Sequence, residues 1–408
     1  MGKCCSRPRH RQAALSGLLL GVFLAATACS NRASIPDPAP ARTNDPVPAD
    51  AATAILAAFD KYPLVALAEA HGLKEQAEFI SQLIQDPDFP KKADTIVIEA
   101  GNARYQPLID RYVGGENVSL DELRSVWRDH TCSALGPMDS PNLELLFKTV
   151  RTVNQKLPPA QRLRVLAGDP PIDWRRIQTN ADFRPWLEQR DNHYAHVVET
   201  AVLEKSRQAL LVTGGAHLSR KPSAGGGEVM LQRLERNYPG KTFVVQVHIG
   251  FGDRNGELEP RLASWPTPSL THLRDTWLGE LDAALHGIQD VMLPIGEVSR
   301  VAPGPREMLQ DNADAYLYLG PSETLTMEQR IPDLLRDNSY VQELHRRHRI
   351  VHGRGLDLAE LLKRRPKKYV DNFKEPNVFQ TPFRQSAASP GVPVRESARR
   401  PATRLSRS

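Results

Sequence analysis

Short apolar runs rich in β-branched residues alternate with segments of helical periodicity along most of this chain, and no other feature restricts the fold as strongly. Strands separated by helices predict an α/β fold, with a mostly parallel sheet flanked by helices. The first four runs are almost continuously apolar, as strands buried on both faces are. The strand-like runs are LVALAE (64–69), TIVIEAG (95–101), RLRVLAGD (162–169), ALLVTGG (209–215), TFVVQVHI (242–249) and DAYLYLG (314–320).

The segments between these runs show helical periodicity, most clearly over residues 75–84, 143–157 and 227–238. We expect a single α/β domain over residues 56–375, and its length leaves room for an inserted helical subdomain around residues 102–160. No internal repeat is present.

The start of the chain has the layout of a secretory signal over residues 1–28. Basic residues precede an apolar stretch from about residue 13 to residue 26, which is too short for an ordinary membrane span. Ala26-Thr27-Ala28 directly before Cys29 resembles a lipoprotein cleavage box and also fits plain signal-peptidase cleavage. We expect an exported protein that a lipid on Cys29 anchors to a membrane, with a Pro/Ala-rich linker over residues 29–55.

The positive charge of the chain sits at its two ends. The whole chain carries +5, residues 1–28 carry +4 and residues 381–408 carry +5, so the remainder is at −4. An acidic body argues against a nucleic-acid-binding core. The Pro-, Ser- and Arg-rich segment 376–408 predicts a disordered basic tail. Cys132 has no partner once the signal is removed and Cys29 is lipidated, so we expect no disulfide.

Ionisable residues stand at or just past the ends of five successive strand-like runs. In open parallel sheets, ligands bind beyond the carboxyl ends of the strands, so we expect these side chains at one edge. Each residue taken singly could cap a helix or stabilise a turn, but five at the same strand end indicate a site. They are Glu69 with His71, Glu99, Asp169, His217 and His248, and glycines that allow tight turns accompany them at 72, 101, 214 and 215.

Five short motifs occur in an order that resembles a known superfamily: LAEAHG, IVIEAG, LAGDPPIDW, QRDNHYAHVV and LLVTGGAHL. This superfamily joins ChaN-like haem-binding lipoproteins, Tiki-type metalloproteases and erythromycin esterases, and the similarity covers roughly residues 60–320. The spacing in Glu69-Ala70-His71 is nearest to the ChaN-like lipoproteins, because the esterase branch has one more residue between its Glu and His.

The resemblance carries expectations about ligands. The Tiki branch uses two Gly-x-x-His motifs and an acidic residue, which implies a divalent metal. The segment from Gly214 to His217 matches one motif, and the segment from Ala68 to His71 matches the other with Ala in place of Gly. ChaN-like proteins bind haem through a tyrosine, and the sequence does not show which tyrosine here would serve.

The residues themselves allow two kinds of chemistry. His71, His217, Glu69 and Glu99 could surround a divalent ion and lower the pKa of its bound water to about 7. Alternatively, His71 acts as a general base without metal, oriented by Glu69 or Glu99. In either case Asp169, Arg190, Asp191 and His248 are expected to bind substrate or to orient the histidines.

Two function classes follow. One is a hydrolase of an ester or amide in a small-molecule or peptide substrate, with or without metal. The other is a non-catalytic haem- or iron-binding lipoprotein. The chain has no Gly-x-Ser-x-Gly elbow, which argues against the usual serine hydrolases. A lid-like segment, SVWRDHTC (125–132), could send His130 toward the cleft, and His193 could reach its rim.

Overall fold

A computed structural model of the chain describes residues 44–135, 140–221, 227–283, 307–329, 336–357 and 367–373. Its centre is an eight-stranded sheet. The strands are β1 (Ala49–Asp50), β2 (Leu64–Glu69), β3 (Thr95–Asn102), β4 (Arg164–Asp169), β5 (Ala209–Gly214), β6 (Thr242–Val247), β7 (Ser269–His272) and β8 (Ala315–Tyr318).

The sheet order is β1-β7-β8-β6-β2-β5-β3-β4. Every pair from β8 to β4 is parallel, whereas β7 runs antiparallel to β8 and to β1. Parallel neighbours need crossover connections, and helices supply them here. The predicted α/β class with a mostly parallel sheet is confirmed. The six strand-like runs are all strands, and the sequence reading missed only the short antiparallel strands β1 and β7.

Helices cover both faces of the sheet. On one face, helices before β4 pack on side chains such as Val65, Ile98 and Val212. On the other face, α8 and α9 pack on side chains such as Ala66 and Leu211. The helices are α1 (Ala51–Ala58), α2 (Lys74–Gln85), α3 (Phe89–Lys92), α4 (Gln106–Gly114), α5 (Leu120–Arg128), α6 (Pro141–Asn154), α7 (Asn180–Glu188), α8 (Arg190–Ala201), α9 (Met230–Asn237), α10 (Asn255–Leu258), α11 (Leu309–Asn312) and α12 (Asn338–His352).

Helices α4, α5 and α6 occupy the region where the sequence suggested an inserted subdomain. Their buried residues, including Ile109, Trp127 and Phe147, belong to the same apolar core as the strands. Trp127 and Phe147 stack with ring centroids 5.7 Å apart within this layer. The region is therefore one side of the main domain and has no core of its own.

The folded part begins earlier than the sequence indicated. Residues 49–58 form β1 and α1, and Ala51 and Ile55 are fully buried, so a linker that ends at residue 55 is too long. The predicted signal over residues 1–28, Cys29, most of the linker and the tail over 376–408 lie outside the described residues. Within the described ranges, no helix has the length and apolar character needed to cross a membrane.

Candidate active site

Four adjacent strands deliver polar side chains to one edge of the sheet. Strand β2 ends in Glu69, and its neighbour β5 ends in Gly214. Next in the sheet, β3 contains Glu99 close to its end, and β4 ends in Asp169. Glu69 lies beside Gly214 in the parallel register of β2 and β5. The β3–β4 register shifts between residues 98 and 102, and Glu99 lies in this irregular stretch. Such bulges redirect side chains near functional sites.

Glu99 is the centre of the cluster. One of its carboxylate oxygens accepts hydrogen bonds from Arg190 at 2.7 Å and from His217 at 3.1 Å. The other accepts from the backbone N–H of Gly214 at 2.6 Å and from the Thr213 hydroxyl at 3.2 Å. Burial opposes ionisation, but His217 and Arg190 hold the pKa of Glu99 well below its usual range. Glu99 is therefore an ionised, fully bonded anchor.

His217 is clamped between two carboxylates. Its Nε2 faces Glu99, and its Nδ1 lies 2.7 Å from Asp191 at the start of α8. The same Asp191 oxygen accepts the backbone N–H of Met230 at 2.7 Å, which joins the clamp to α9. Burial favours the neutral ring, but Glu99 and Asp191 outweigh it and raise the pKa of His217 to about 10. The ring is a buried imidazolium at neutral pH.

His71 is the more accessible imidazole. Its side chain is 35% exposed, against 9% for Glu99 and 14% for His217. Nδ1 lies 3.5 Å from Glu69 and Nε2 lies 4.0 Å from Glu99. Burial lowers its pKa, but Glu69 and Glu99 outweigh that effect and raise the pKa of His71 to about 9.

Two glycines give His71 its place. Gly72 has a φ of +82°, a left-handed conformation that turns the chain directly after His71. The carbonyl of Gly72 then accepts the backbone N–H of Glu328 at 2.8 Å. At Gly214, a Cβ atom would lie 2.8 Å from His71 Nε2 and 3.1 Å from Glu99. A side chain at position 214 would therefore displace the imidazole.

Asp169 and Arg190 extend the network toward the segment after α5. Arg190 donates to Asp169 at 3.1 Å as well as to Glu99. Asp169 also accepts the backbone N–H of Thr131 at 2.8 Å and the Thr131 hydroxyl at 2.5 Å. Burial raises the pKa of Asp169 to about 6, although Arg190 and Thr131 favour its charged form. Thr131 was not singled out from the sequence.

His248 does not belong to this cluster. Its ring is fully buried, with Nδ1 2.8 Å from the Tyr316 hydroxyl and Nε2 3.0 Å from Glu259. The expectation that His248 binds substrate or orients the other histidines is therefore corrected: it joins the loop after β6 to β8. The ring of His193 lies against β4, with its Nδ1 2.9 Å from the carbonyl oxygen of Gly168.

The His, Asp and Glu side chains of this site are not arranged to bind the divalent ion that the sequence predicts. Among the described residues, no group of three or more His, Cys, Asp or Glu side chains is placed to hold a metal. Arg190 and Gly214 already bond to the oxygens of Glu99, and Asp191 occupies Nδ1 of His217. Metal ligands must also be deprotonated, whereas both imidazoles hold their protons at neutral pH.

The same protonation counts against a haem group. Haem iron takes a neutral imidazole, a thiolate, a thioether or a tyrosine oxygen as axial ligand. The raised pKa values of His71 and His217 favour the charged rings. Tyr369 reaches the site, but its hydroxyl is directed to the His71 carbonyl at 3.4 Å, and burial raises its pKa.

Comparisons with known proteins find likeness only in structure. Neither the family models nor the curated proteins contain a match to this chain. A Bacillus cereus protein of known structure aligns over 68% of this chain and 94% of its own, with 11% identity and a TM-score of 0.41. An erythromycin esterase mutant in its open conformation aligns over 67% and 94%, with 12% identity and a TM-score of 0.42.

A third structure, ChaN of Campylobacter jejuni with cofacial haem, aligns over 50% of this chain and 88% of its own, with 13% identity and a TM-score of 0.31. At these identities the likeness concerns the α/β architecture, and we transfer no residue role from it.

Proposed function

We propose that this protein is a hydrolase that cleaves an ester or amide bond in a small-molecule or peptide substrate, with His71 as the proton-transfer group. The observation that supports this proposal is the asymmetry between the two imidazoles. His217 is hydrogen-bonded at both ring nitrogens. His71 is partly exposed, and the carboxylates of its two ion pairs lie farther away, Glu69 at 3.5 Å and Glu99 at 4.0 Å. Only His71 is free to exchange a proton with a reacting molecule.

The roles of the remaining groups follow from their contacts. Glu69 and Glu99 stabilise the imidazolium form of His71. Arg190, Gly214 and His217 hold Glu99 in place. Glu99 therefore positions the site and is not itself a base, because its low pKa makes it a poor proton acceptor.

The proposed reaction needs only His71 and water. Neutral His71 accepts a proton from a water molecule as the water oxygen forms a bond to the carbonyl carbon. The tetrahedral intermediate then collapses, the bond from carbon to the leaving oxygen or nitrogen breaks, and protonated His71 returns the proton to the leaving atom. A pKa of about 9 makes His71 a strong base in its neutral form and a competent acid in its charged form.

We also propose that the protein works outside the cytoplasm, anchored to a membrane by a lipid on Cys29. The support is the basic start, the short apolar stretch and the small residues before Cys29. Mass spectrometry of the protein from membranes should show a diacylglyceryl group on Cys29. An N-terminus that still begins with Met1 would contradict both export and the anchor.

Hydrolysis is tested with p-nitrophenyl esters of several acyl lengths and with p-nitroanilide amides. We expect turnover by the wild-type chain, loss in His71→Ala, and wild-type turnover in a matched variant of the exposed histidine on α8, His196→Ala. Haem is titrated into the same preparations. A Soret band that depends on His71, together with no turnover of any ester or amide, would favour the haem-binding alternative and reject the hydrolase.

A further inference from the structure

A small cavity lies on the face of the sheet that α2 and α6 cover. Its free volume is about 20 Å³, which is room for one or two groups of the size of water or methyl, and it is partly open to solvent. Most of its wall is apolar: Leu73, Ala77, Ile80, Leu143, Leu146 and Val212. Protein interiors are normally filled, so an unfilled apolar space at the edge of the core can serve a ligand.

Glu69 joins this cavity to the candidate active site. Side chains alternate along β2, so Glu69 projects from the same face of the sheet as Val65 and Leu67, which belong to the core under α2 and α6. Glu69 lines the cavity, and its carboxylate lies 3.5 Å from Nδ1 of His71. A group bound in the cavity is therefore separated from the acid–base histidine by a single side chain.

The two other polar residues of the lining bond to the backbone. Gln76 accepts the N–H of Ala70 at 2.8 Å and donates to the carbonyl of Ala68 at 2.9 Å, so it holds the chain on both sides of Glu69. Asn142 donates to the backbone carbonyl just before α2 at 3.3 Å. None of the described lining residues is cationic, and the carboxylate of Glu69 repels an anion. The cavity therefore suits an uncharged apolar group.

We propose that this cavity binds the acyl group of the substrate and restricts it to short, uncharged acyl groups such as acetyl and propionyl. The inference rests on the proposed hydrolase function, because it places the acyl side of the cleaved bond beside His71. The small volume sets the limit, since a longer group would have to displace buried side chains such as Ile80 and Leu146. One methylene in an apolar pocket changes kcat/KM by about 10- to 200-fold.

Two substitutions change the size of the cavity in opposite directions. Ala77→Leu adds an isopropyl group to a half-buried position of α2, where Leu is a good helix former. Leu146→Ala removes the same group from the wall that α6 provides. Ala201→Leu is the matched control, since Ala201 is also half-buried but ends α8 on the other face of the sheet.

All four proteins are assayed in the full chain with p-nitrophenyl esters from acetate to octanoate. We expect the wild-type kcat/KM to be highest for acetyl or propionyl and to fall by about tenfold or more for each further methylene. Leu146→Ala should move the optimum to butyryl or longer, Ala77→Leu should lower the ratio of propionyl to acetyl by about tenfold, and Ala201→Leu should keep the wild-type profile.

The ratio of two esters measured on one preparation does not depend on the folded fraction, so a loss of stability in a variant cannot produce these changes. A flat wild-type profile, a wild-type optimum at octanoyl, or an unchanged profile in both Ala77→Leu and Leu146→Ala would overturn the proposal.

Binding without turnover separates this inference from the hydrolase proposal. Propionamide, an uncharged molecule with a propionyl group, is titrated into protein with ¹³C-labelled Ile, Leu and Val methyl groups. We expect shifts of the methyl resonances of Ile80 and Val212 in the wild type and in Ala201→Leu, but not in Ala77→Leu, and smaller shifts with propionate.

If these shifts occur while no ester or amide is hydrolysed, the hydrolase proposal fails and the cavity stands as a binding site for a short acyl group. No shift in the wild-type chain, or the same shifts in Ala77→Leu, would reject the cavity as an acyl site.

Discussion

The Nε2 atom of His217 lies 3.1 Å from a carboxylate oxygen of Glu99, although the two residues are 118 positions apart and follow different strands. Both side chains are largely buried. Their ion pair, completed by Asp191 on the other ring nitrogen, joins β3, the turn after β5 and α8. The pair therefore has a structural role as well as a place in the candidate active site.

Substituting His217 should destabilise the fold in a pH-dependent manner. The pKa of His217 is raised from 6.5 to about 10 in the folded chain. A group with a raised folded pKa stabilises fully below its unfolded pKa, and this stabilisation is lost as pH rises through the folded pKa. The wild-type melting temperature should thus decline between pH 7 and pH 10.

We expect His217→Gln to cost about 1–3 kcal/mol at pH 7, the usual effect of leaving a buried acceptor without its partner. Its melting temperature should depend less on pH in that range, because His71, with a pKa of about 9, still titrates there but the larger contribution of His217 is gone. Calorimetry of both proteins from pH 6 to pH 10.5 measures the difference. Parallel curves for the two proteins would show that His217 is not charged in the fold.

His71→Ala should behave differently, because this side chain is more exposed and has looser contacts. We expect hydrolysis to fall by about 100- to 10,000-fold, the usual effect of losing a general acid–base group. The free energy of unfolding at pH 7 should fall by less than in His217→Gln, because solvent screens the ion pairs of the more exposed His71 ring. Assays and denaturant titrations on one preparation measure both. Equal losses of stability in His71→Ala and His217→Gln would remove the distinction between the two histidines.

Gly214→Ala should impair activity without unfolding the protein. The added Cβ atom would lie 2.8 Å from His71 Nε2, so the imidazole must move away from Glu99. Gly114→Ala is a matched control, since a Cβ there meets no atom within 4 Å. We expect a loss of at least about tenfold in kcat/KM for the first variant, because small displacements of catalytic groups are costly. Wild-type activity in Gly214→Ala would show that His71 tolerates the shift.

The central residues of this site could be predicted from sequence because of one property of parallel sheets. Glu69, Glu99, Asp169 and His217 each stand at or just after the carboxyl end of an apolar strand, and parallel strands bring those ends together. His248 occupies an equivalent place in the sequence but bonds to Glu259 and Tyr316 instead. Side chains alternate between the two faces of a strand, so arrival at the same edge does not ensure contact.

Other features depend on tertiary packing that leaves little trace in the sequence. Thr131 meets Asp169 across 38 residues, and only the docking of α5 and the segment after it creates that contact. Arg347 lies in a run of basic residues on α12, yet it is buried and donates to Asp129 at 2.5 Å. The predicted linker over residues 29–55 includes most of helix α1, which has only eight residues and follows a Pro-rich segment.

Hydrolysis should not depend on an added divalent ion. The prediction follows from the donor arrangement, in which Glu99 and His217 already hold other partners. We expect the initial rate to stay within about twofold after dialysis against a chelator, since no metal–ligand bond contributes. Elemental analysis of protein purified without added metal or chelator accompanies the assay. A loss of activity that a divalent ion restores would show that the site rearranges around a metal.

The pH dependence of kcat/KM tests the role of His71 and its partner Glu69 together. Only neutral His71 can accept a proton from water, and Glu69 and Glu99 raise its pKa to about 9. The rate should therefore rise about tenfold per pH unit up to a break near pH 9. Glu69→Gln removes one of the charges that stabilise the imidazolium, so its break should lie at lower pH. Glu78→Gln, an exposed site on α2, should keep the wild-type break. If Glu69→Gln leaves the break unmoved, the base in the reaction is another group.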